Sequence, residues 1–143
     1  MNDMEIAANL RTILNRLVKL MRRQTRNEGQ LSLTERSALG LLYPDKQLAP
    51  SDIARAEKVT TQSMSQVVNH LAELGYIGRT PSTDDGRKIL VSLTADGRSR
   101  VEQARLEKQE WLAKALHEKV TAKEKELLVD ALHIITKLID EDP

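Results

Sequence analysis

The chain has 143 residues, a length that is typical of a single domain. It contains no cysteine, which excludes disulfides, thiol-based redox sensing and cysteine-ligated zinc sites. Charged residues make up 30% of the chain, yet the formal net charge is only +1, so the overall charge does not indicate a nucleic-acid partner and the local pattern must decide.

Apolar residues recur at helical spacing over residues 4–27, which predicts a first helix. We expect the Glu-Gly-Gln sequence at residues 28–30 to end it, because glycine favours helix termination. A second helix is predicted from Thr34 to about Leu42. The Thr34 hydroxyl precedes an acid in the first turn and is suited to capping this helix.

Two further helices follow, separated by a short turn. Ser51 is expected to cap the third helix, and Thr60 or Thr61 to cap the fourth, which is predicted over Thr61–Leu74. Gly75 should end the fourth helix, because the position after a helix often needs a left-handed backbone. This order indicates a helix-turn-helix.

The fourth helix has two unlike faces. Its apolar side chains fall at helical spacing and form one stripe: Met64, Val67, Val68, Leu71 and Leu74. The rest of its surface is nearly uncharged and is rich in amides and hydroxyls: Gln62, Ser63, Ser65, Gln66, Asn69 and His70. Such groups can hydrogen-bond to base edges, and amides are suited to adenine. A merely solvated face is the alternative, although such a face usually carries Glu and Lys.

Two strands are predicted over Tyr76–Thr80 and Ile89–Leu93, on either side of a turn-rich loop at residues 81–87. Together they would form a β wing. A helix-turn-helix followed by such a wing is typical of proteins that place a helix in the major groove of DNA. The wing therefore favours DNA contact for the polar face of the fourth helix.

The last third of the chain predicts two helices. Thr94 should cap a long helix that extends to Glu118 or Lys119, and the last helix should run from a capping box at residues 121–124 to about Ile139. The apolar stripe of this last helix has few remaining elements to cover it. A second copy of the chain is the economical partner for it.

This order of elements resembles the MarR (multiple antibiotic resistance regulator) family of winged-helix transcription regulators over nearly the whole chain. The segments that carry the resemblance are Leu33-Thr34, Ser51–Ala54, Ser63–Leu71, Leu74–Ile77, Asp85–Ile89 and Leu93-Thr94. The most specific of them is the wing, an Asp-x-Arg sequence followed by a strand that ends in Leu-Thr.

The resemblance implies a mainly α fold with a small β wing (α+β), a winged helix-turn-helix with N- and C-terminal dimerisation helices. Residues 1–143 would form a single MarR-like domain, with a DNA-binding lobe at residues 34–94 and dimerisation helices at residues 1–30 and 95–143. The expected dimer contacts are apolar side chains near the two ends of the chain: Ile6, Leu10, Leu128, Leu132, Ile135 and Ile139.

By the same resemblance, the fourth helix enters the major groove, Arg87 of the wing enters the minor groove, and Asp85 holds the wing turn and can orient Arg87. Gln66 stands where family members often carry a basic residue, so affinity should rest more on the wing and on Arg55. The residues expected to contact DNA lie on the third helix, the fourth helix and the wing: Ser51, Arg55, Thr61, Gln62, Ser63, Ser65, Gln66, Asn69, His70, Arg79, Asp85, Arg87 and Lys88.

Related regulators often bind small aromatic anions between the dimerisation helices and the winged lobe, where Arg16, Tyr43 and Trp111 could line a cavity. The alternative is that Tyr43 and Trp111 only fill core. The three histidines are too scattered to predict a metal site, and no cofactor is expected. The sequence contains no Gly-rich phosphate loop and no nucleophile elbow, so it does not predict an enzyme.

The sequence therefore predicts a homodimeric transcriptional regulator, most simply a repressor, that binds a pseudo-palindromic operator in double-stranded DNA and is released by a small aromatic or anionic effector. It shows no signal peptide and no membrane-spanning segment, so we expect a cytoplasmic protein without a membrane partner. Two alternatives stay open: a winged helix that binds only another protein, and a DNA-binding regulator that has no ligand.

Overall fold

The computed structural model describes residues 1–26 and 31–140. These residues contain six helices and two strands, in the order α1 (Asp3–Arg23), α2 (Leu33–Leu42), α3 (Pro50–Glu57), α4 (Thr61–Glu73), β1 (Ile77–Pro81), β2 (Ile89–Leu93), α5 (Ala95–Lys119) and α6 (Ala122–Ile139). The chain divides into two compact units. Residues 26–106 form the winged unit, and residues 1–25 form the terminal unit together with the chain from residue 107 onward. The predicted fold class, mainly helical with a small β wing, is confirmed.

The first helix is shorter than predicted. α1 ends at Arg23 and not near residue 27, because polar side chains beyond it satisfy the last helical carbonyl groups. Gln24 donates from Nε2 to the Leu20 carbonyl at 3.2 Å, and the Thr25 hydroxyl donates to the Arg22 carbonyl at 2.9 Å. The predicted terminator at residues 28–30 lies outside the described residues.

Two of the predicted N-caps are wrong. α2 is capped by Ser32 and not by Thr34, because Ser32 and Glu35 form a capping box in which each side chain accepts from the other residue's amide, at 3.1 and 2.9 Å. α3 begins at Pro50, so its N-cap is Ala49 and Ser51 lies inside the first turn. Proline at the first helical position has the right φ angle and needs no partner for an amide, which lets this helix start early.

The helix-turn-helix and the wing follow the predictions closely. Thr60 caps α4, and Gly75 follows its end with a φ of 82°, in the left-handed region that glycine tolerates. β1 begins one residue later than predicted, at Ile77, and pairs antiparallel with β2. Leu48 adds a one-residue bridge to this sheet through two hydrogen bonds with Val91, at 3.1 and 2.8 Å.

The core of the winged unit consists of aliphatic side chains and one methionine. Its buried members are Leu31, Ala38, Leu39, Leu42, Ile53, Ala54, Met64, Val68, Leu71, Ile77, Val91 and Val101. α3 and α4 pack against each other, and α2 contacts both helices. Burial of this apolar surface therefore holds α4 with one fixed face towards α2 and α3.

The terminal unit differs, because neither α1 nor α6 contains a buried residue. Large apolar side chains along both helices are exposed: Ile6, Ile13, Leu14, Val18, Leu20, Leu127, Leu128, Val129, Leu132, Ile134, Leu138 and Ile139. Exposed apolar surface of this extent is typical of a face that another molecule covers. None of the described helices is both long and apolar enough to cross a membrane.

The start of α5 lies very close to the chain that leaves α4. The Thr94 hydroxyl accepts from the Gly97 amide at 3.0 Å and donates to the Gly75 carbonyl at 2.6 Å, which confirms Thr94 as the cap of α5. A Cβ atom added at Gly97 would lie 2.9 Å from the carbonyl carbon of Tyr76, and closer still to its oxygen. Only glycine therefore fits at position 97 without displacing backbone.

Replacement of Gly97 by alanine should lower the free energy of unfolding by about 1–3 kcal/mol, because the new methyl group overpacks against backbone. Gly40→Ala is the matched control, since Gly40 is also helical and a Cβ there meets nothing within 4 Å. The higher helix propensity of alanine should stabilise that variant by about 1 kcal/mol. Chemical denaturation followed by circular dichroism would measure both. Wild-type stability of Gly97→Ala would contradict the close approach.

Candidate nucleic-acid interface

α4 presents a polar surface opposite its buried stripe. Met64, Val68 and Leu71 are buried in the core, whereas the amide and hydroxyl residues identified in the sequence are all exposed: Thr61, Gln62, Ser63, Ser65, Gln66 and Asn69. The surface carries no acid in the first turn of the helix. Its groups can therefore approach nucleic acid without repelling phosphate.

The polar side chains of α4 differ in whether they already form hydrogen bonds within the protein. The Ser65 hydroxyl donates to the Thr61 carbonyl at 3.0 Å, and the Ser63 hydroxyl accepts from Thr60 at 3.0 Å. Within the described part of the chain, the side chains of Gln62 and Gln66 make no hydrogen bond. Gln62 and Gln66 are therefore the groups that can most readily turn towards a ligand.

Asn69 has a partner that the sequence did not reveal. Arg79 of β1 donates a hydrogen bond from Nη2 to Oδ1 of Asn69, and both side chains are exposed. The two residues are separated by ten positions and come from different elements, so no helical or strand periodicity predicts the contact. The contact links the wing directly to the polar surface of α4.

His70 lies at the margin of this surface and contacts Glu35, a buried carboxylate at the start of α2, through Nδ1. Burial raises the pKa of Glu35, but the hydrogen bonds from Ser32 and the contact with His70 together lower it by more, so this pKa lies below its ordinary value. His70 therefore ties α4 to α2. Its expected role as a DNA contact competes with this structural role.

The wing turn is organised around two polar side chains. Asp85 accepts from the Arg87 amide at 3.0 Å, which gives it the turn-holding position expected for it. Ser82, for which the sequence predicts no particular role, accepts from the Asp84 and Asp85 amides at 3.3 and 3.4 Å. The side chains of Arg87 and Lys88 are exposed at this turn. A turn that is fixed by these side-chain hydrogen bonds can present the Arg87 side chain at a constant place.

The two candidate contacts on α3 are also exposed. Ser51 lies in the first turn, and the Arg55 side chain is 80% exposed. The Nη1 atom of Arg55 is 3.8 Å from Oδ1 of Asp52, an exposed pair of the kind that contributes little to stability. Arg55 can therefore leave Asp52 for a phosphate at small cost.

The predicted effector residues belong to different units. Arg16 and Trp111 lie in the terminal unit and Tyr43 in the winged unit, so a common cavity stays a prediction. Tyr43 already has partners in its own unit: the Arg105 guanidinium carbon lies 4.1 Å from the ring centroid, and the hydroxyl donates to Glu102 at 3.4 Å. In residues 1–26 and 31–140, no group of three or more His, Asp and Glu residues is placed to hold a metal ion.

The winged fold and the exposed polar helix define the class of protein, a winged helix-turn-helix. The sequence pattern of the MarR family matches residues 30–88. An HTH-type transcriptional regulator of Mycobacterium leprae is 34% identical over 143 residues, which is 99% of this chain and 98% of that protein. The chain belongs to the MarR family of DNA-binding transcriptional regulators, a class that is not enzymatic. The predicted family is confirmed.

Solved structures agree with this assignment. A transcriptional regulator protein of Pseudomonas aeruginosa matches with a TM-score of 0.81 and 26% identity, over 99% of this chain and 97% of that one. A mutant of S. aureus MepR, solved bound to an oligodeoxyribonucleotide, matches with a TM-score of 0.67 and 20% identity, over 94% of this chain and 98% of that one. At this identity, the match to MepR shows that the two proteins share a fold.

The contribution of Glu35 to stability should depend on pH. Because its pKa is lower in the folded chain than in the unfolded chain, the charged carboxylate stabilises the fold above the unfolded value, and this stabilisation is lost as the pH falls through the folded value. Glu35→Gln should therefore lower the free energy of unfolding at neutral pH by about 1.5–3 kcal/mol. The difference should shrink at about pH 3.

The control is Glu5→Gln, which alters the same kind of capping box on α1 in an exposed setting. Glu5→Gln should change stability less at neutral pH, because solvent already satisfies an exposed cap. Chemical denaturation at the two pH values measures both variants. A loss of stability in Glu35→Gln that is equal at both pH values would show that charge is not its cause.

Proposed function

We propose that the chain is a homodimeric repressor that recognises a pseudo-palindromic operator through α4 and the wing. The observation that carries this proposal is the exposed amide and hydroxyl face of α4, together with a wing turn that presents Arg87. Amides can address base edges in the major groove, and an arginine benefits from the negative potential of a narrow minor groove. Residues 34–94 act as the DNA-binding lobe in this proposal.

The apolar faces of α1 and α6 support the dimer. Leu132 is 55% exposed and Ile139 is 74% exposed, although each would normally lie in a core. An apolar groove of about 520 Å³ lies between α1 and α6, lined by Ile6, Leu10, Leu14 and Leu138 among others. A second copy of the chain offers the same apolar surface in return, as two-fold symmetry requires.

Repression needs no further contact surface. A dimer that covers an operator within a promoter excludes polymerase by occupancy alone, whereas activation would require a surface that recruits polymerase. We include release by a small aromatic or anionic effector. Such an effector must bind the DNA-free state more tightly than the DNA-bound state. A cytoplasmic location is part of the same proposal.

Selection of preferred duplexes from a random DNA pool tests sequence-specific DNA binding. The wild-type chain should enrich an inverted repeat whose half-sites are centred roughly 34–36 Å apart, with affinity that falls steeply with salt. Arg87→Ala should lower operator affinity about 10- to 100-fold and relax the preference beside each half-site. Replacement of the exposed neighbour, Lys88→Ala, should weaken binding to all sequences alike and make the affinity less dependent on salt.

If no sequence is enriched and only salt-sensitive binding is observed, the chain is a non-specific DNA binder. No binding even at low salt would favour the alternative of a protein-interaction module. Unchanged operator affinity of a folded Arg87→Ala variant would remove Arg87 from the interface and leave the remaining contacts in place.

Leu132→Asp tests the dimer. A carboxylate placed in an apolar interface without a partner should cost on the order of 3–5 kcal/mol, so the variant should sediment as a monomer at concentrations where the wild type is a dimer. His133→Asp is the matched control, because it adds the same charge one position along α6, on the polar side of the helix. A Leu132→Asp variant that remains dimeric would show that the interface lies elsewhere.

A further inference from the structure

The contact between Arg79 and Asn69 determines which way the Asn69 amide faces. Arg79 donates from Nη2 to Oδ1 of Asn69. A guanidinium contains only donors, and an amide has only one acceptor, its oxygen. The oxygen must therefore be the end that faces Arg79. The Nδ2 group of Asn69, with its two hydrogens, is left for other partners.

The fold brings Arg79 to this place. Gly75 turns the chain back at the end of α4, and the Tyr76 amide donates to the Leu71 carbonyl at 3.0 Å. Alternate residues of a strand share a face, so Arg79 lies on the same face of β1 as Ile77. Ile77 is buried in the core that α4 helps to form. The position of Arg79 beside α4 is thus a consequence of the packing of β1.

We propose that Arg79 is a positioning residue that makes Asn69 read the major groove as a hydrogen-bond donor. This inference rests on the proposed function, in which α4 enters that groove. The bidentate pair with adenine needs an amide that donates to N7 and accepts from N6. The Asn69 oxygen has two lone pairs, and Arg79 takes one of them, so the bond from adenine N6 would be a second and weaker one, and the adenine pair is disfavoured.

The major-groove acceptors open to Nδ2 are N7 of adenine, N7 and O6 of guanine and O4 of thymine. Guanine offers two acceptors side by side, whereas adenine places the N6 donor beside its N7, so the pair selects guanine first and disfavours adenine and cytosine. Gln62 and Gln66 differ, because in the part of the chain that the structure describes neither has a partner that fixes its amide. Adenine reading, which the sequence predicts for the amides of α4, stays with those two residues.

Selection from a random duplex pool tests the inference with four variants. Asn69→Ala identifies the base position that depends on Asn69, because the preference at that position alone should disappear. At this position the wild type should prefer guanine over adenine by about tenfold. Arg79→Ala frees the amide and should bring adenine close to parity with guanine there. Arg79→Lys keeps a donor and should retain most of the guanine preference. Arg55→Ala, an exposed arginine without an amide partner, should lower affinity and leave this position unchanged.

The outcomes separate the two proposals. If the wild type enriches an operator but Arg79→Ala loses affinity uniformly and keeps the preference for guanine, Arg79 is a phosphate contact and the inference is wrong. A wild-type preference for adenine at the Asn69-dependent position, or no dependence on Asn69 at any position, would also overturn it. If the wild type enriches no sequence, the proposed function fails and this inference fails with it.

A measurement without DNA tests the contact itself. In NMR spectra of the intact, isotope-labelled chain, the side-chain amide signals of Asn69 should shift in Arg79→Ala and remain near their wild-type positions in Arg79→Lys. Asn15 of α1 is exposed and serves as the internal reference. An Asn69 amide that does not respond to Arg79→Ala would show that the pair does not form in solution, whatever the chain does on DNA.

Discussion

Burial of the apolar stripe of α4 is the constraint on which the rest of the structure depends. Met64, Val68 and Leu71 lie in the core with α2 and α3, and the 3.6-residue period of the helix then leaves positions 62, 66 and 69 in solvent. The same rotation of one helix therefore sets both the packing of the winged unit and the presentation of its polar surface. The two properties cannot be altered independently, because any change that rolls the helix in the core also turns its outer face.

Apolar burial has no direction of its own, so polar contacts complete the placement of α4. The Glu35 carboxylate holds His70 from the side of α2, and Arg79 holds Asn69 from the side of β1. His70 and Asn69 are neighbouring residues of α4. The partner of His70 precedes α4 in the chain, and the partner of Asn69 follows it. One of the two contacts is partly buried and structural, whereas the other is exposed and lies on the polar surface. The helix is thus secured next to the residues that we propose to read DNA.

The sequence predicts most of this fold, because helix periodicity and capping chemistry are local properties. The bounds of β2, the left-handed turn at Gly75 and the capping box of α6 follow from neighbours within four positions. The errors at the starts of α2 and α3 have local causes too: Ser32 offered a full capping box, and Pro50 allowed an earlier start. The two side-chain contacts of α4 could not be predicted, since they join residues 35 and 10 positions apart. The DNA contacts stay predictions, since an exposed polar face is compatible with them but does not require them.

The two units solve different physical problems. The winged unit buries its apolar side chains in a core of its own, whereas α1 and α6 keep their apolar surfaces exposed in a single chain. In the proposed function this apolar surface forms the dimer interface. A single winged unit offers few groups to a short half-site, but once one half of a dimer has bound, the second half-site is presented at a high effective concentration, and the combined affinity rises without any new contact. A mismatch in either half-site then lowers the affinity of the whole dimer for the operator. Apolar helices that are unfavourable in an isolated chain can therefore convert a weak reader of a half-site into a selective reader of a complete operator.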